Sequence, residues 1–198
     1  MTDMGAIRGR PWITGFLVAA VVAAGVGLYW FQPWKLWQDE TVDEALPGVV
    51  VTTSPSADAA PGESGADDGR SEAEGAETPA GPRTLAGGEL VDHEHPTTGA
   101  VTLVRLADGG HVVRLEGLDT SNGPDLRVWL TDAPVLEGRD GWHVFDDGAH
   151  VDLGGLKGNK GSQNYPVPEG VDPSAYTSVS IWCDRFDVSF GAAELRPV

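Results

Sequence analysis

The sequence predicts an all-β fold, an antiparallel β-sandwich or barrel, placed after one N-terminal transmembrane helix and a disordered linker. Three observations carry that expectation. An uncharged stretch of twenty residues runs from Trp12 to Phe31. Residues 39–86 consist mainly of Ala, Gly, Ser, Thr, Pro and acidic residues, almost without large apolar side chains after Val51. From about Arg83 onward, short apolar runs alternate with turn residues, and no run keeps helical periodicity long enough to build a bundle.

Residues 1–11 read as a cytoplasmic tail and 12–31 as the membrane-spanning helix. At about 1.5 Å per residue, a helix of this length spans roughly the 30 Å of a hydrocarbon core. Trp12 marks one margin, and Tyr29, Trp30, Phe31, Trp34 and Trp37 mark the other, as aromatic rings do at headgroup depth. Pro33 stops the helix. Arg8 and Arg10 precede the span, whereas the chain beyond Lys35 is acidic. The positive-inside rule therefore puts the N-terminus in the cytoplasm and the C-terminal domain outside the cytoplasmic membrane. A cleavable signal peptide competes with this reading, because Val22-Ala23-Ala24 offers small residues at a cleavage position. Hydrophobicity that continues to Phe31 favours the anchor.

Residues 32–85 read as an acidic, disordered linker. Between Asp39 and Thr78 there are eleven acidic residues and a single basic one, Arg70, a net charge of −10. Such a segment cannot offset its ordering entropy by burial, and its like charges extend it. As a random coil, about 48 residues would reach roughly 35–40 Å, so the linker reads as a plain spacer.

Residues 86–198 carry the strand pattern. Val101–Leu106 and His111–Leu115 flank an Asp-Gly turn at 107–110, a hairpin signal. Leu126, Val128 and Leu130 alternate with Arg127 and Trp129 after the turn at 121–124. Val179, Ile181 and Cys183 share one face of a further strand, with Ser180, Trp182 and Asp184 on the other. The apolar positions then become Phe186, Val188 and Phe190, so the inward phase changes within Asp184-Arg185. A bulge or tight turn is required there, which places Cys183 at a strand end.

The formal net charge of the 198-residue chain is −17, which would repel a nucleic-acid backbone. Few lysines with abundant Ala, Gly, Val and Asp point to a high-GC bacterial source. Cys183 is the sole cysteine, so no intrachain disulfide can form. Its neighbours Asp184 and Arg185 would act on the thiol in opposite senses. The imidazoles available to a metal or haem are His93, His95, His111, His143 and His150. The pair His93 and His95, beside Pro96, reads as surface histidines rather than a dedicated metal site. Blue copper is disfavoured, since the only methionines, Met1 and Met4, precede the helix. Asp146, Asp147 and Asp152 fit no EF-hand spacing, and no Ser-His-Asp arrangement, phosphate-binding loop or zinc-protease motif is present. A classical enzyme is therefore not expected.

Three ordered motifs carry a resemblance: Gly123-Pro-Asp-Leu-Arg-Val-Trp-Leu130, then the segment Leu153–Pro168 with its Lys157-Gly-Asn-Lys-Gly-Ser-Gln-Asn-Tyr165 core, and last Tyr176–Phe186 with Phe190-Gly-Ala-Ala193. Together these resemble the DM-thirteen domain family over roughly residues 86–198. The resemblance implies a redox or electron-transfer module, with Cys183 as a bare thiol or as the ligand of a prosthetic group such as haem. It implies supporting roles for Trp182, Asp184, Arg185, Gly123, Pro124, Asp125, Asn164 and Tyr165, and a redox partner or envelope component as the partner. The alternative is a non-catalytic surface module that binds a protein or envelope glycan, with Cys183 structural.

Overall fold

The computed structural model describes residues 11–34, 38–48 and 81–198. The expected cytoplasmic tail, apart from Pro11, and the stretch 49–80 lie outside the described residues. The first element is helix α1 (Pro11–Phe31), whose described side chains stand almost entirely exposed. It is long and apolar enough to cross a membrane.

The strands are β1 (Thr41–Asp43), β2 (Arg83–Glu89), β3 (Val91–Asp92), β4 (Thr98–Arg105), β5 (His111–Asp119), β6 (Leu126–Thr131), β7 (His150–Gly155), β8 (Lys160–Pro166), β9 (Ser178–Cys183), β10 (Val188–Glu194) and β11 (Arg196–Pro197). They form a six-stranded sheet in the order β1-β8-β5-β4-β2-β11 and a five-stranded sheet in the order β3-β10-β9-β6-β7. Every pairing is antiparallel except β1 with β8. The expected all-β fold is present as a sandwich, and no closed barrel forms.

The alternation read from the sequence explains how the sheets pack. Val101, Val113 and Leu115 point from the six-stranded sheet into the same core as Val128, Val179 and Ile181 of the other, all fully buried. Each such aliphatic side chain contributes about 1.5–3 kcal/mol by leaving water. The central strand β9 is buried along its whole length, on both faces. Its second face carries Trp182 and belongs to a smaller cluster with Trp129, Ala192, Ala133 and Phe145. The latter two come from the connection between β6 and β7, which folds over the outside of the five-stranded sheet.

Between β9 and β10 the chain makes a tight turn, with Phe186 N–H donating to Cys183 O at 3.2 Å and Asp187 at a positive φ of 49°. The phase change expected at residues 184–185 is thus a turn. A register irregularity occurs as well, further along, between Ser189 and Gly191.

The linker reading requires a correction. Within residues 32–85, Thr41–Asp43 is strand β1, paired in parallel with Lys160–Ser162 of β8, and β2 already begins at Arg83. Composition failed to mark β1 because that strand depends on hydrogen bonds and ion pairs with a distant edge, not on apolar burial. The C-terminal end of α1 also meets the domain. Phe31 and Phe186 stack with ring centroids 5.9 Å apart, and the Arg185 guanidinium lies 5.0 Å from the Trp30 ring centre and donates to the Trp30 carbonyl.

Candidate functional site

Cys183 ends β9, opposite Leu126 of β6 and Val188 of β10, and none of its surface reaches solvent. Burial pushes its thiol up from the ordinary value, while the backbone N–H groups of Phe186, Arg185 and Asp125 act on the sulfur in the opposite sense. The Asp125 carboxylate adds to the upward push. The sulfur thus sits in a dry corner, a setting that holds the neutral thiol at rest.

The neighbouring charges act differently from the sequence expectation. The Arg185 side chain is engaged with Trp30, so this residue reaches the sulfur only through its backbone. Asp184 is exposed, and its backbone N–H donates to Asp125 O at 3.0 Å, tying the two motif segments together. Asp125 lies 3.5 Å from Arg127, which is paired more closely with Asp152 at 2.6 Å. Gly123 is confined: a Cβ there would lie 3.1 Å from Leu126 and 3.2 Å from Phe190. Gly123, Pro124 and Asp125 also form one wall of a polar cleft of about 640 Å³, whose other walls are Gln38–Glu40 and the loop through Leu156 and Asn159.

The structure brings Trp182, Asp184, Arg185, Gly123, Pro124 and Asp125 to one corner with Cys183. Asn164 is not among them. It lies on β8 in the other sheet and bonds the chain around Glu44 and Ala45. Tyr165 is buried in the inter-sheet core, where burial pushes its phenol up to about 12 and its hydroxyl donates to Gln163 Oε1 at 2.7 Å.

The second face of β9 joins groups that the sequence reading named without connecting them. The Trp182 and Trp129 rings stack with centroids 4.9 Å apart, and Trp129 stacks on the exposed His150 at 4.1 Å. Both indole N–H groups are buried and find no partner among the described residues. The signal was available: two tryptophans on the nominally outer face of adjacent strands imply a cover. Beside them His93 is buried, not a surface residue as expected. Its Nε2–H donates to Leu136 O at 3.0 Å, its Nδ1 accepts from Ser189 Oγ at 2.7 Å, and Ser189 in turn accepts from Ser180 Oγ at 2.9 Å. Burial lowers the His93 pKa, against the opposing Leu136 bond and the Asp92 charge, which holds this ring neutral. No cluster of three His, Cys, Asp or Glu side chains suited to a metal occurs among the described residues.

A profile of the family described as electron transfer DM13 matches residues 89–195. The chain belongs to this family. No curated protein and no solved structure matches it. The match of this electron transfer DM13 domain spans all three motifs, including Cys183, and excludes helix α1 and strand β1.

Haem can be tested against the geometry. A thiolate-bound haem needs an apolar slot that opens onto the sulfur. Cys183 has no exposed surface and lines no part of the 640 Å³ cleft. His93 is bonded at both ring nitrogens, His143 Nδ1 lies 2.6 Å from Asp187 O, and His150 is stacked on Trp129. These residues do not fit a haem ligated by Cys183.

Proposed function

We propose that this electron transfer DM13 domain is a membrane-anchored, extracytoplasmic redox module that uses Cys183 as a bare thiol and the Trp182–Trp129–His150 stack as its route to the surface. The observation that carries this reading is the position of a buried thiol next in sequence to an indole whose stacked neighbours reach solvent. Indole is the most readily oxidised aromatic side chain, and rings in van der Waals contact pass an electron without displacing atoms. In the proposed step the Cys183 S–H loses one electron and one proton. The electron leaves through Trp182 and Trp129 to a one-electron acceptor docked at His150, and the proton goes to the Asp125 carboxylate and on to water. Helix α1 supplies the anchor, and the arginines before it set the N-terminus inside.

Titration of the full-length protein in detergent micelles with hexachloroiridate(IV), a one-electron oxidant strong enough to take an electron from a thiol, tests the reading. The wild type should consume oxidant stoichiometrically with the protein, and Cys183→Ser should lose that reaction while its circular dichroism is unchanged. Trp129→Phe should keep the stoichiometry and slow the rate. Equal oxidant consumption by wild type and Cys183→Ser would overturn the proposal.

A further inference from the structure

The segment Lys157–Tyr165 is occupied by this chain's own residues that follow α1. Strand β1 lies along β8, with Lys160 N–H donating to Glu40 O at 3.2 Å and Glu44 N–H donating to Ser162 O at 2.8 Å. Side chains complete the pairing. Asn159 takes the Glu40 N–H at 2.7 Å and gives its own amide to Asp39 at 2.9 Å. The Glu44 carboxylate receives Lys157 Nζ and the Asn164 N–H, each at 2.8 Å, and Asn164 Nδ2 donates to Ala45 O at 2.9 Å. Charge is matched too: two of the three lysines in a chain of net charge −17, Lys157 and Lys160, face the acidic segment.

Two glycines are shaped for this guest. A Cβ on Gly158 would fall 2.4 Å from Glu40 O, and one on Gly161 would fall 2.2 Å from Val42 O. Gly161 also needs its positive φ of 94°, whereas Gly158 does not occupy that region. Side chains are thus excluded at Gly158 by the docked strand alone.

We infer that the β8 edge is a strand-receiving site whose ligand is the acidic segment Asp39–Ala45, held in cis as a latch. The chain passes this site and departs at Gly48, and it re-enters the domain beside its point of departure: a Cβ on Gly48 would lie 3.6 Å from Pro82 Cγ. Both ends of the acidic stretch therefore meet the domain at one place. The segment that joins α1 to the domain is therefore the one before the latch. Only Gln32–Gln38 separates α1 from the latch, seven residues that span at most about 25 Å. The domain is consequently clamped close to the membrane, with the Cys183 turn against the end of α1. This last consequence rests on the membrane-anchor reading; the latch itself does not.

The experiment places a recognition sequence for a site-specific protease at Arg70 of the full-length chain, expressed in its host membrane. After cleavage the C-terminal fragment has no covalent link to α1. The latch predicts that it stays in the membrane fraction, and that Gly158→Ala releases it at least tenfold faster, roughly the loss of two or three hydrogen bonds. The double variant Asp39→Ala/Glu44→Ala, altered only outside the matched domain, should do the same if Gly158→Ala fails to fold. Prompt release of the cleaved wild-type domain would overturn the latch, as would retention that Asp39→Ala/Glu44→Ala leaves unchanged. An uncleaved chain absent from the membrane fraction would instead count against the anchor; the same release measured on purified protein, by gel filtration after cleavage, then decides the latch.

Discussion

The corner built by Lys157–Tyr165 and the corner built around Cys183 belong to the same domain and treat their polar atoms in opposite ways. In the first, Asn159, Gln163 and Asn164 are buried and fully engaged. The Gln163 side chain alone accepts from Lys157 N, Gly158 N and the Tyr165 hydroxyl, and donates to Gly158 O at 2.6 Å. In the second, the indole N–H groups of Trp182 and Trp129 are buried without a partner among the described residues. A satisfied network fixes one geometry, as a strand-receiving edge must. The aromatic cluster lies dry on the other face of β9 from the thiol, and its stacked rings are the route that the proposal assigns to charge. Polarity at one corner serves recognition, and its absence at the other serves the proposed redox chemistry.

The sharpest way to break this comparison is at Trp182. Truncation to Ala should cost about 4 kcal/mol in urea denaturation, the usual loss for a fully buried large aromatic. Replacement by Phe should cost only about 1 kcal/mol, because the N–H it removes bonds nothing in the described structure. Equal costs for Ala and Phe would mean that the N–H has a partner.

Gln163→Leu asks the converse question at the other corner. The volume is nearly kept, yet several buried donors and acceptors are stranded, so the expected cost is about 3 kcal/mol in the same assay. A cost near zero would remove the contrast.

Acid should act on the two corners in separate windows, with the smallest effect of the three. Burial lowers the His93 pKa from 6.5, so the native state refuses a proton that the unfolded chain accepts, and stability falls as pH drops below about 6.5. The Glu44 carboxylate is lowered from 4.5, chiefly by its bond from Lys157, so the latch keeps its contribution above that value and loses it as pH falls through the lower native one. His93→Gln should flatten the first window, and Glu44→Gln the second. Stability curves collected from neutral to acidic pH check both; a single window, unaffected by either variant, would contradict the assignment.

Much of the fold is legible in the sequence because it rests on short-range periodicity. The hairpin β4–β5, strand β6 and strand β9 follow from apolar alternation and from one Asp-Gly turn. The end of α1 at Phe31 follows from Pro33. The gathering of Cys183 with Gly123, Pro124 and Asp125 was carried by family resemblance rather than by spacing, since a contact between β6 and β9 has no local signature. His93 was misread because its neighbours Glu94 and Pro96 look like a loop, while its burial comes from Leu136 and Ser189, residues far away in the chain.

What the sequence by itself determined is the all-β class, the apolar helix, the single thiol and its place at a strand end. Those properties depend on composition and on patterns that repeat within a few residues. Only the tertiary structure decided that the thiol is sealed, that Trp182 and Trp129 stack beneath a covering loop, and that Asp39–Ala45 docks on β8. Each of these depends on which distant surface a segment meets. For the acidic stretch, charge and low hydrophobicity forbid a core of its own, yet they do not forbid pairing with an edge that supplies lysines, amides and two glycines.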